Sequence, residues 1–176
     1  MRCLDNTVRT DDRTEPVNLG GKRNTMKVNT KKFGEIELDD DKLIRFSNGI
    51  VGFPDLKDFA LIHDGEKTDG PIRWLQSMQE PGFAMPVIDP LFVKLDYNPM
   101  VEEEMLKDIG LDGEEDLFVL VTLTVPKDIQ KMSANLKAPF VINMNNRKAC
   151  QIIVEDDTCE VKFPVYEIFK GKKAGE

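Results

Sequence analysis

The side chains best suited to acid–base or nucleophilic chemistry are sparse in this sequence. Its one histidine, His63, follows the apolar residues 59–62 and precedes Asp64 and Gly65. Nucleophilic catalysis needs a base that is poised near neutral pH, and histidine commonly supplies it. No GxSxG motif is present to provide a serine nucleophile. We therefore interpret His63 as a partly exposed residue where a strand enters a turn, and we predict no catalytic residue.

The cysteines and the acidic residues do not match a known metal-binding pattern. Cys3, Cys150 and Cys159 are odd in number and none belongs to a CxxC pair, which argues against a zinc site and against a disulfide framework. None of the acidic clusters has the spacing of an EF-hand, and each falls at a predicted turn or helix start, where carboxylates are readily solvated. We predict no metal and no cofactor. The four acidic runs of three are residues 39–41, 102–104, 114–116 and 155–157.

Composition and charge restrict the class of protein. The 176 residues are 40% hydrophobic and 32% charged, which is ordinary for a soluble globular domain. The longest apolar run, residues 117–125, is too short to span a bilayer, and the N-terminus lacks the apolar region of a secretory signal. We therefore predict a cytoplasmic protein. Its net charge of −8 disfavours nonspecific binding to nucleic acid or membrane and favours a basic protein partner.

The first 25 residues differ in character from the rest of the chain. They hold five basic and four acidic side chains and only isolated apolar residues, so we predict a disordered extension over residues 1–25. It is either a flexible tail or an artefact of an upstream start codon, and we favour the artefact. Gly20-Gly21-Lys22 does not extend to a phosphate loop because Pro16 and Arg23 replace the required residues. We predict the domain proper over residues 26–168 and a mobile C-terminal tail over residues 169–176.

The elements that would position a site are mostly short strands separated by turn residues. One helix is indicated by Asn98 as its cap, Pro99 at its first position and Gly110 at its end. Shorter helical turns are predicted from residue 54 and over residues 127–133. We predict a mainly β, single-domain fold, an antiparallel barrel or sandwich with one or two short helices. The predicted strands cover residues 27–30, 35–38, 42–46, 59–63, 72–77, 83–88, 117–125, 140–143, 148–154 and 158–163.

Residues 72–90 form the most distinctive segment. They contain the only tryptophan, Trp74, and several prolines that interrupt β-sheet hydrogen bonding. One interpretation makes Trp74 a core anchor beside a barrel corner. The other makes the segment a binding surface, because aromatic residues dominate both cores and interfaces. The residues alone leave both interpretations open.

Short motifs along the chain share the order and spacing of one protein family. They are a glycine-rich turn ending in Gly-Phe (residues 48–54), a WLQS strand (residues 74–77), a segment ending in Asp-Pro (residues 83–90), an N-L-x-A-P element (residues 135–139) and a hairpin (residues 140–151). From residue 26 to about residue 165 the chain thereby resembles the bacterial flagellar assembly factor FliW family.

The resemblance implies a small β-barrel-like protein that is not an enzyme and binds two partners in turn. One partner is flagellin, held in the cytoplasm before export. The other is the RNA-binding translational regulator CsrA, which FliW antagonises. Accumulating flagellin would occupy FliW and free CsrA to repress flagellin translation. The acidic charge agrees with a basic partner such as CsrA, and we expect no direct contact with nucleic acid or membrane.

The shared motifs also supply the candidate partner-binding residues. Two rival functions stay open: a small ligand-binding or flavin-binding β-barrel enzyme, and an export chaperone for another secreted subunit. The seven candidates are Trp74, Gln76, Ser77, Phe83, Asp89, Asn135 and Leu136.

Overall fold

The computed structural model describes residues 2–4, 25–63, 70–111 and 117–173. These residues form thirteen strands and three α-helices, with 3₁₀ turns at Asp40–Lys42 and Ile129–Lys131. The strands are β1 (Arg2–Cys3), β2 (Thr25–Thr30), β3 (Gly34–Asp39), β4 (Ile44–Phe46), β5 (Asp58–His63), β6 (Ile72–Ser77), β7 (Ala84–Ile88), β8 (Met100–Val101), β9 (Leu117–Thr124), β10 (Ser133–Ala134), β11 (Phe140–Asn143), β12 (Lys148–Gln151) and β13 (Phe163–Pro164). The helices are α1 (Pro90–Val93), α2 (Glu103–Lys107) and α3 (Tyr166–Lys173).

Seven of these strands close into a barrel. Their order is β11-β12-β4-β5-β6-β7-β9, and β9 pairs with β11 to complete the ring. The closing register places Phe140 opposite Leu120 and Asn143 opposite Leu117. The pairs around the ring are antiparallel except β12–β4, which is parallel. The structure thus confirms the predicted mainly β, barrel-like fold, with three short helices where one or two were predicted.

Strand alternation gives the barrel two apolar faces. Successive side chains of a strand point to opposite sides of the sheet. On β9, Leu120 therefore packs inside the barrel with Phe46, Phe59 and Phe140, whereas Val119 and Val121 pack outside it. The second core lies between the outer face of the barrel and the helices, which explains why β9 carries apolar side chains on both of its faces.

The start of the chain contributes to this outer core. β1 pairs antiparallel with β8, with Arg2 opposite Val101 and Cys3 opposite Met100. Leu4 follows the strand and its side chain is fully buried. The predicted disordered extension over residues 1–25 therefore differs from the structure at residues 2–4 and at Thr25, which begins β2. Residues 5–24 lie outside the described residues.

The predicted helix begins later than its capping signals indicated. Asn98 and Pro99 precede β8, and α2 starts at Glu103 with Glu102 as its N-cap. The predicted stop at Gly110 is confirmed. Its N–H donates to the Lys107 carbonyl, and the next N–H reaches back to Leu106, the pattern of a Schellman motif with glycine at positive φ. Residues 54–57 do not form a helix: the first two lie in a turn and the next two are irregular. The helical turn predicted within residues 127–133 is present.

The end of the chain also differs from the predictions. The predicted strand over residues 158–163 is wrong, because a turn occupies most of it and pairing begins at Phe163. The Asp156 carboxylate accepts hydrogen bonds from the Thr158 hydroxyl at 2.7 Å and the Thr158 N–H at 2.8 Å, and these bonds stabilise the turn. They also hold the pKa of the Asp156 carboxyl below its usual range. The predicted mobile tail begins inside α3, which is helical to Lys173, and residues 174–176 lie outside the described part.

No helix in the described part of the chain is long and apolar enough to cross a membrane.

The hairpin of β2 and β3 is packed against the barrel through Trp74. The tryptophan ring is half-buried and lies outside both core clusters. The Phe33 ring meets it edge-on at 6.1 Å between ring centres, and the Lys32 ammonium lies 3.8 Å from the indole centre. The Lys31 N–H also donates to the Pro81 carbonyl in the loop after β6. Trp74 is therefore a docking residue for the hairpin and not the core anchor that one interpretation made of it.

We expect Trp74→Ala to destabilise the protein by roughly 2 kcal/mol, because it removes an aromatic pair and a cation–π contact together with buried apolar area. Urea denaturation would measure the loss, and Trp74→Phe, which keeps a ring, should recover much of it. The folded variant should keep its affinity for protein partners. A well-folded Trp74→Ala protein that has lost a partner would show that this surface binds that partner directly.

Candidate functional site

One mouth of the barrel opens into an apolar groove of about 480 Å³, here named the mouth groove. Phe83 and Met85 line it from the start of β7, Thr122 from β9 and Phe140 from β11. Phe83, Met85 and Phe140 belong to or pack against the inner core, and Thr122 faces inward with Leu120 two residues earlier. The floor of the groove is therefore continuous with the barrel interior, and packed side chains make it rigid.

The rim of the mouth groove carries large apolar side chains that the fold leaves in solvent. Val51, Phe53, Ile153 and Val161 are between 46% and 64% exposed, and all four line the groove. A single exposed apolar side chain needs no explanation, but several around one concavity mark a binding surface. Filling the groove would remove these side chains from water, which is favourable by about 25 cal/mol for each Å² of apolar area.

A tight turn sets the position of the aromatic rim. Ile50 and Phe53 form an isolated β-bridge, with N–H to carbonyl distances of 3.2 and 2.8 Å. Gly49 has φ 67°, and a Cβ there would collide with the backbone of Pro54, so glycine is required. The turn brings the Phe53 ring to 4.6 Å from the Phe83 ring, centre to centre. Across the groove, the Val51 N–H donates to Gln151 Oε1 at 2.7 Å.

Two of the polar residues that line the mouth groove come from the N-L-x-A-P element. Asn135 Oδ1 accepts from the Lys137 N–H at 3.1 Å, an Asx turn that fixes the backbone here. Lys137 is the one charged residue lining this groove, and its ammonium donates to the Asp156 carbonyl at 3.3 Å. An occupant would therefore place apolar side chains on the floor and a hydrogen-bond acceptor or negative charge near Lys137.

At the opposite end of the barrel, an arginine packs against an aromatic ring. The Arg73 guanidinium lies 5.1 Å from the centre of the Phe118 ring, and both residues are half-buried on the inward face of their strands. His63 is exposed nearby, at the end of β5 opposite Arg73, as predicted.

Two of the seven predicted partner-binding residues, Phe83 and Asn135, line the mouth groove. Gln76 and Ser77 are fully buried and stabilise the loop after β6. Gln76 Nε2 donates to the Ser77, Pro81 and Phe83 carbonyls at 2.9–3.2 Å, while Ser77 Oγ accepts from the backbone N–H of residues 79 and 80. Through these bonds the two buried side chains fix the loop that carries Phe83, and neither is exposed to contact a partner.

The remaining predicted residues also have structural roles. Asp89 caps α1, accepting from the Leu91 N–H at 2.8 Å with Pro90 at the first helical position. Leu136 is fully buried, and its carbonyl accepts from the buried Tyr97 hydroxyl at 2.9 Å. Since Leu136 lies between Asn135 and Lys137, the Tyr97 bond holds the polar side of the mouth groove against the outer core.

We expect Tyr97→Phe to cost about 1–2 kcal/mol at neutral pH, because it leaves a buried carbonyl without its donor. Burial raises the pKa of Tyr97 above its usual range, whereas the unfolded phenol ionises near pH ~10. The stability from this raised pKa is therefore complete below that pH and is lost as the pH rises further. Urea denaturation of both proteins near neutrality and in alkali should show their difference shrinking. A difference that grew in alkali would contradict this.

Val51, Phe53, Ile153 and Val161 line the mouth groove but were not predicted from the sequence. The glycine-rich turn that carries Phe53 was recognised as a family motif but not as part of the rim of a binding groove. Val161 lay within the strand predicted over residues 158–163, most of which is a turn in the structure. The available signal was the presence of large apolar residues inside segments rich in turn residues, which have no strand face to bury them.

The mouth groove contains no arrangement suited to acid–base or metal chemistry. Within the described residues, no three histidine, cysteine or acidic side chains are grouped to hold a metal ion. The one titratable group lining the mouth groove is the ammonium of Lys137. The fold and the site thus define a class: a small closed β-barrel with an open, apolar binding groove at one mouth.

Comparison with known proteins identifies the family within this class. The model of the FliW protein family matches residues 27–165. The flagellar assembly factor FliW of Lachnoclostridium phytofermentans is 48% identical over 152 residues, covering 86% of this chain and 97% of the relative. That of Lachnospira eligens is 46% identical, covering 84% and 99%. A crystal structure of the flagellar assembly factor FliW superposes with a TM-score of 0.73 at 31% identity, covering 80% of this chain and 96% of the other. The chain belongs to the FliW family, whose relatives are flagellar assembly factors.

Proposed function

We propose that this protein binds flagellin in the cytoplasm and, when flagellin is scarce, binds CsrA and relieves its repression of flagellin translation. The observation that carries the proposal is the exposed apolar rim of the mouth groove, formed by Val51, Phe53, Ile153 and Val161. A flagellar assembly factor must recognise a protein of the flagellar pathway, and this groove has the character of a protein-binding surface.

Flagellin is assigned to the mouth groove on chemical grounds. The Phe53 and Phe83 rings form a paired aromatic wall, and aromatic side chains beside a fixed cavity are typical binding hot spots. A segment with successive apolar side chains would fill the floor at Met85 and Phe140. Its backbone carbonyls or a carboxylate would face Lys137. Because the floor is part of the barrel core, little ordering cost opposes binding.

CsrA is proposed as the second partner because the resemblance to the FliW family implies it, and the charge of the chain is consistent with it. The chain carries a net charge of −8, and an RNA-binding regulator must present basic surfaces to hold phosphates. Opposite charges accelerate encounter and suppress wrong partners. Switching between the partners then needs only competing equilibria: free flagellin lowers the concentration of protein available to CsrA.

Isothermal titration calorimetry of the full chain would test the proposal, first with monomeric flagellin and then with CsrA. We expect micromolar or tighter binding to each. Prior saturation with flagellin should reduce the amount of CsrA bound. Failure to bind either protein at micromolar concentrations would refute the proposal. Capture of a different secreted subunit from lysate, with no flagellin, would support the export-chaperone alternative instead.

The size of the mouth groove favours one further candidate, a small-ligand barrel. A volume of about 480 Å³ lies in the range of small-molecule sites, which is roughly 300–1,000 Å³. The exposed rim argues for a larger occupant, since a small ligand would leave Val51 and Val161 in water. Absorption and mass spectra of the purified protein would reveal a bound flavin or other ligand.

A further inference from the structure

A second groove, of about 350 Å³, lies on the other side of the turn at Gly49. It runs between Ser47, the end of α2 and the residues that follow β12. Gly49 lines this second groove, while Val51 and Phe53 line the mouth groove. The turn therefore separates the two grooves.

The two grooves have opposite charge. Asp108 is the one charged residue that lines the second groove, as Lys137 is in the mouth groove. Among the described residues, Asp108 has no ion-pair partner. It also lies at the C-terminal end of α2, where the helix dipole is negative and an acidic side chain is unfavourable.

The half-buried thiol of Cys150 lies in the same negative field. Cys150 lines the second groove beside Asp108. Burial raises the pKa of the Cys150 thiol to about 12, and the charge of Asp108 adds to the shift. A negative charge that raises the cost of a nearby thiolate would attract a cation placed in the same position.

The walls of the second groove are apolar. Met105 is 44% exposed on one side and Ile153 is 51% exposed on the other. We propose that this groove is a separate docking site for a protein segment that combines apolar side chains with lysine or arginine, the basic group facing Asp108. A segment with acidic side chains would be excluded by the same carboxylate.

The second groove shares a wall with the mouth groove. Ile153 and Gln151 line both. Gln151 accepts from the Val51 N–H at 2.7 Å and donates to the Ala138 carbonyl at 3.3 Å, so it connects the turn to the N-L-x-A-P element. Two occupants would compete for the exposed side chain of Ile153. The site goes beyond the proposed function, because it concerns a different surface and does not depend on flagellin.

The test uses a synthetic amphipathic peptide of leucine and lysine, with a peptide of leucine and glutamate as its counterpart. The peptides would be titrated into the full chain with methyl groups observed by NMR. We expect the lysine peptide to shift the methyl signals of Met105, Ile109 and Ile152, which line the second groove, and to leave Met85 in the mouth groove unchanged. The glutamate peptide should bind more weakly.

A matched pair of variants separates the site from general charge attraction. Asp108→Asn should weaken binding of the lysine peptide about fivefold, as expected for a partly exposed ion pair. Glu37→Gln on β3 removes the same charge far from the groove and should change the affinity less than twofold. Equal effects of the two variants, methyl shifts outside the second groove, or no binding at millimolar peptide would each overturn the proposal. Neither arm uses flagellin, so this result is independent of the function proposed above.

Discussion

Phe53→Asp is expected to weaken flagellin binding by about thirtyfold or more, which corresponds to ~2 kcal/mol or above for an interface hot spot. The substitution removes the ring that packs at 4.6 Å against Phe83. It also places a charge on the rim, which an apolar partner would have to desolvate. Because Phe53 is 46% exposed and belongs to neither core cluster, the fold should tolerate the change. Calorimetry with monomeric flagellin would measure the affinity.

Leu95→Asp is the matched control for this experiment. Leu95 is 86% exposed and does not line the mouth groove, so its replacement adds the same charge and removes a similar apolar side chain elsewhere. Its affinity for flagellin should stay within about twofold of the parent, as usual for substitutions away from an interface. Comparable losses in the two variants would mean that Phe53 has no special role.

Phe46→Ala is expected to destabilise the protein by about 3–5 kcal/mol, the usual cost of emptying a buried aromatic site. Phe46 is fully buried and meets the Phe59 and Phe140 rings edge-on, each at 5.4 Å between ring centres. Its strand, β4, has two paired residues with β5 and two with β12. With so few ladder hydrogen bonds, closure of the barrel here depends on side-chain packing. Urea denaturation would give the change in the free energy of unfolding.

Arg45→Ala provides the comparison on the same strand. Arg45 points outward, and its ion pair with Asp58 spans 3.6 Å between side chains that are 63% and 38% exposed, so we expect a loss below ~1 kcal/mol. If Phe46→Ala cost no more than Arg45→Ala, the barrel interior would not be the main source of stability. Flagellin affinity should follow the folded fraction of Phe46→Ala.

The strands were predictable because their apolar runs end at residues with a definite local preference. β6 and β11 have their predicted bounds, and the predicted β9 ends within one residue. The short helices were harder to predict from the sequence. α1 has an Asp-Pro start but only four residues. α3 has few apolar side chains of its own and is stabilised by the Phe92–Phe169 contact at 5.3 Å, which sequence alone does not reveal.

The site was only partly predictable, because it forms where distant segments meet. Val51 and Gln151 are joined by a hydrogen bond although they are 100 residues apart. The recognised motifs supplied Phe83 and Asn135, yet other motif residues, such as Gln76 and Leu136, proved to be buried supports. Family motifs mark positions that the fold requires as well as positions that contact a partner, and only burial separates the two.

The start of the chain shows the same limit of local reasoning. Residues 2–4 have no apolar period, and nothing in their composition predicts that Leu4 is fully buried. The pairing of β1 with β8 depends on a strand edge about a hundred residues away. Composition therefore describes the segment as polar and aperiodic, while one tertiary contact determines where its first residues lie.

Methyl NMR of the full chain titrated with monomeric flagellin tests the central claim, that the mouth groove is the flagellin-binding surface. We predict that the methyl signals of Met85, Ile153 and Val161 shift on binding and that those of Met26 and Leu95 stay unchanged. Saturable binding with shifts elsewhere and none at these three groove residues would contradict the account.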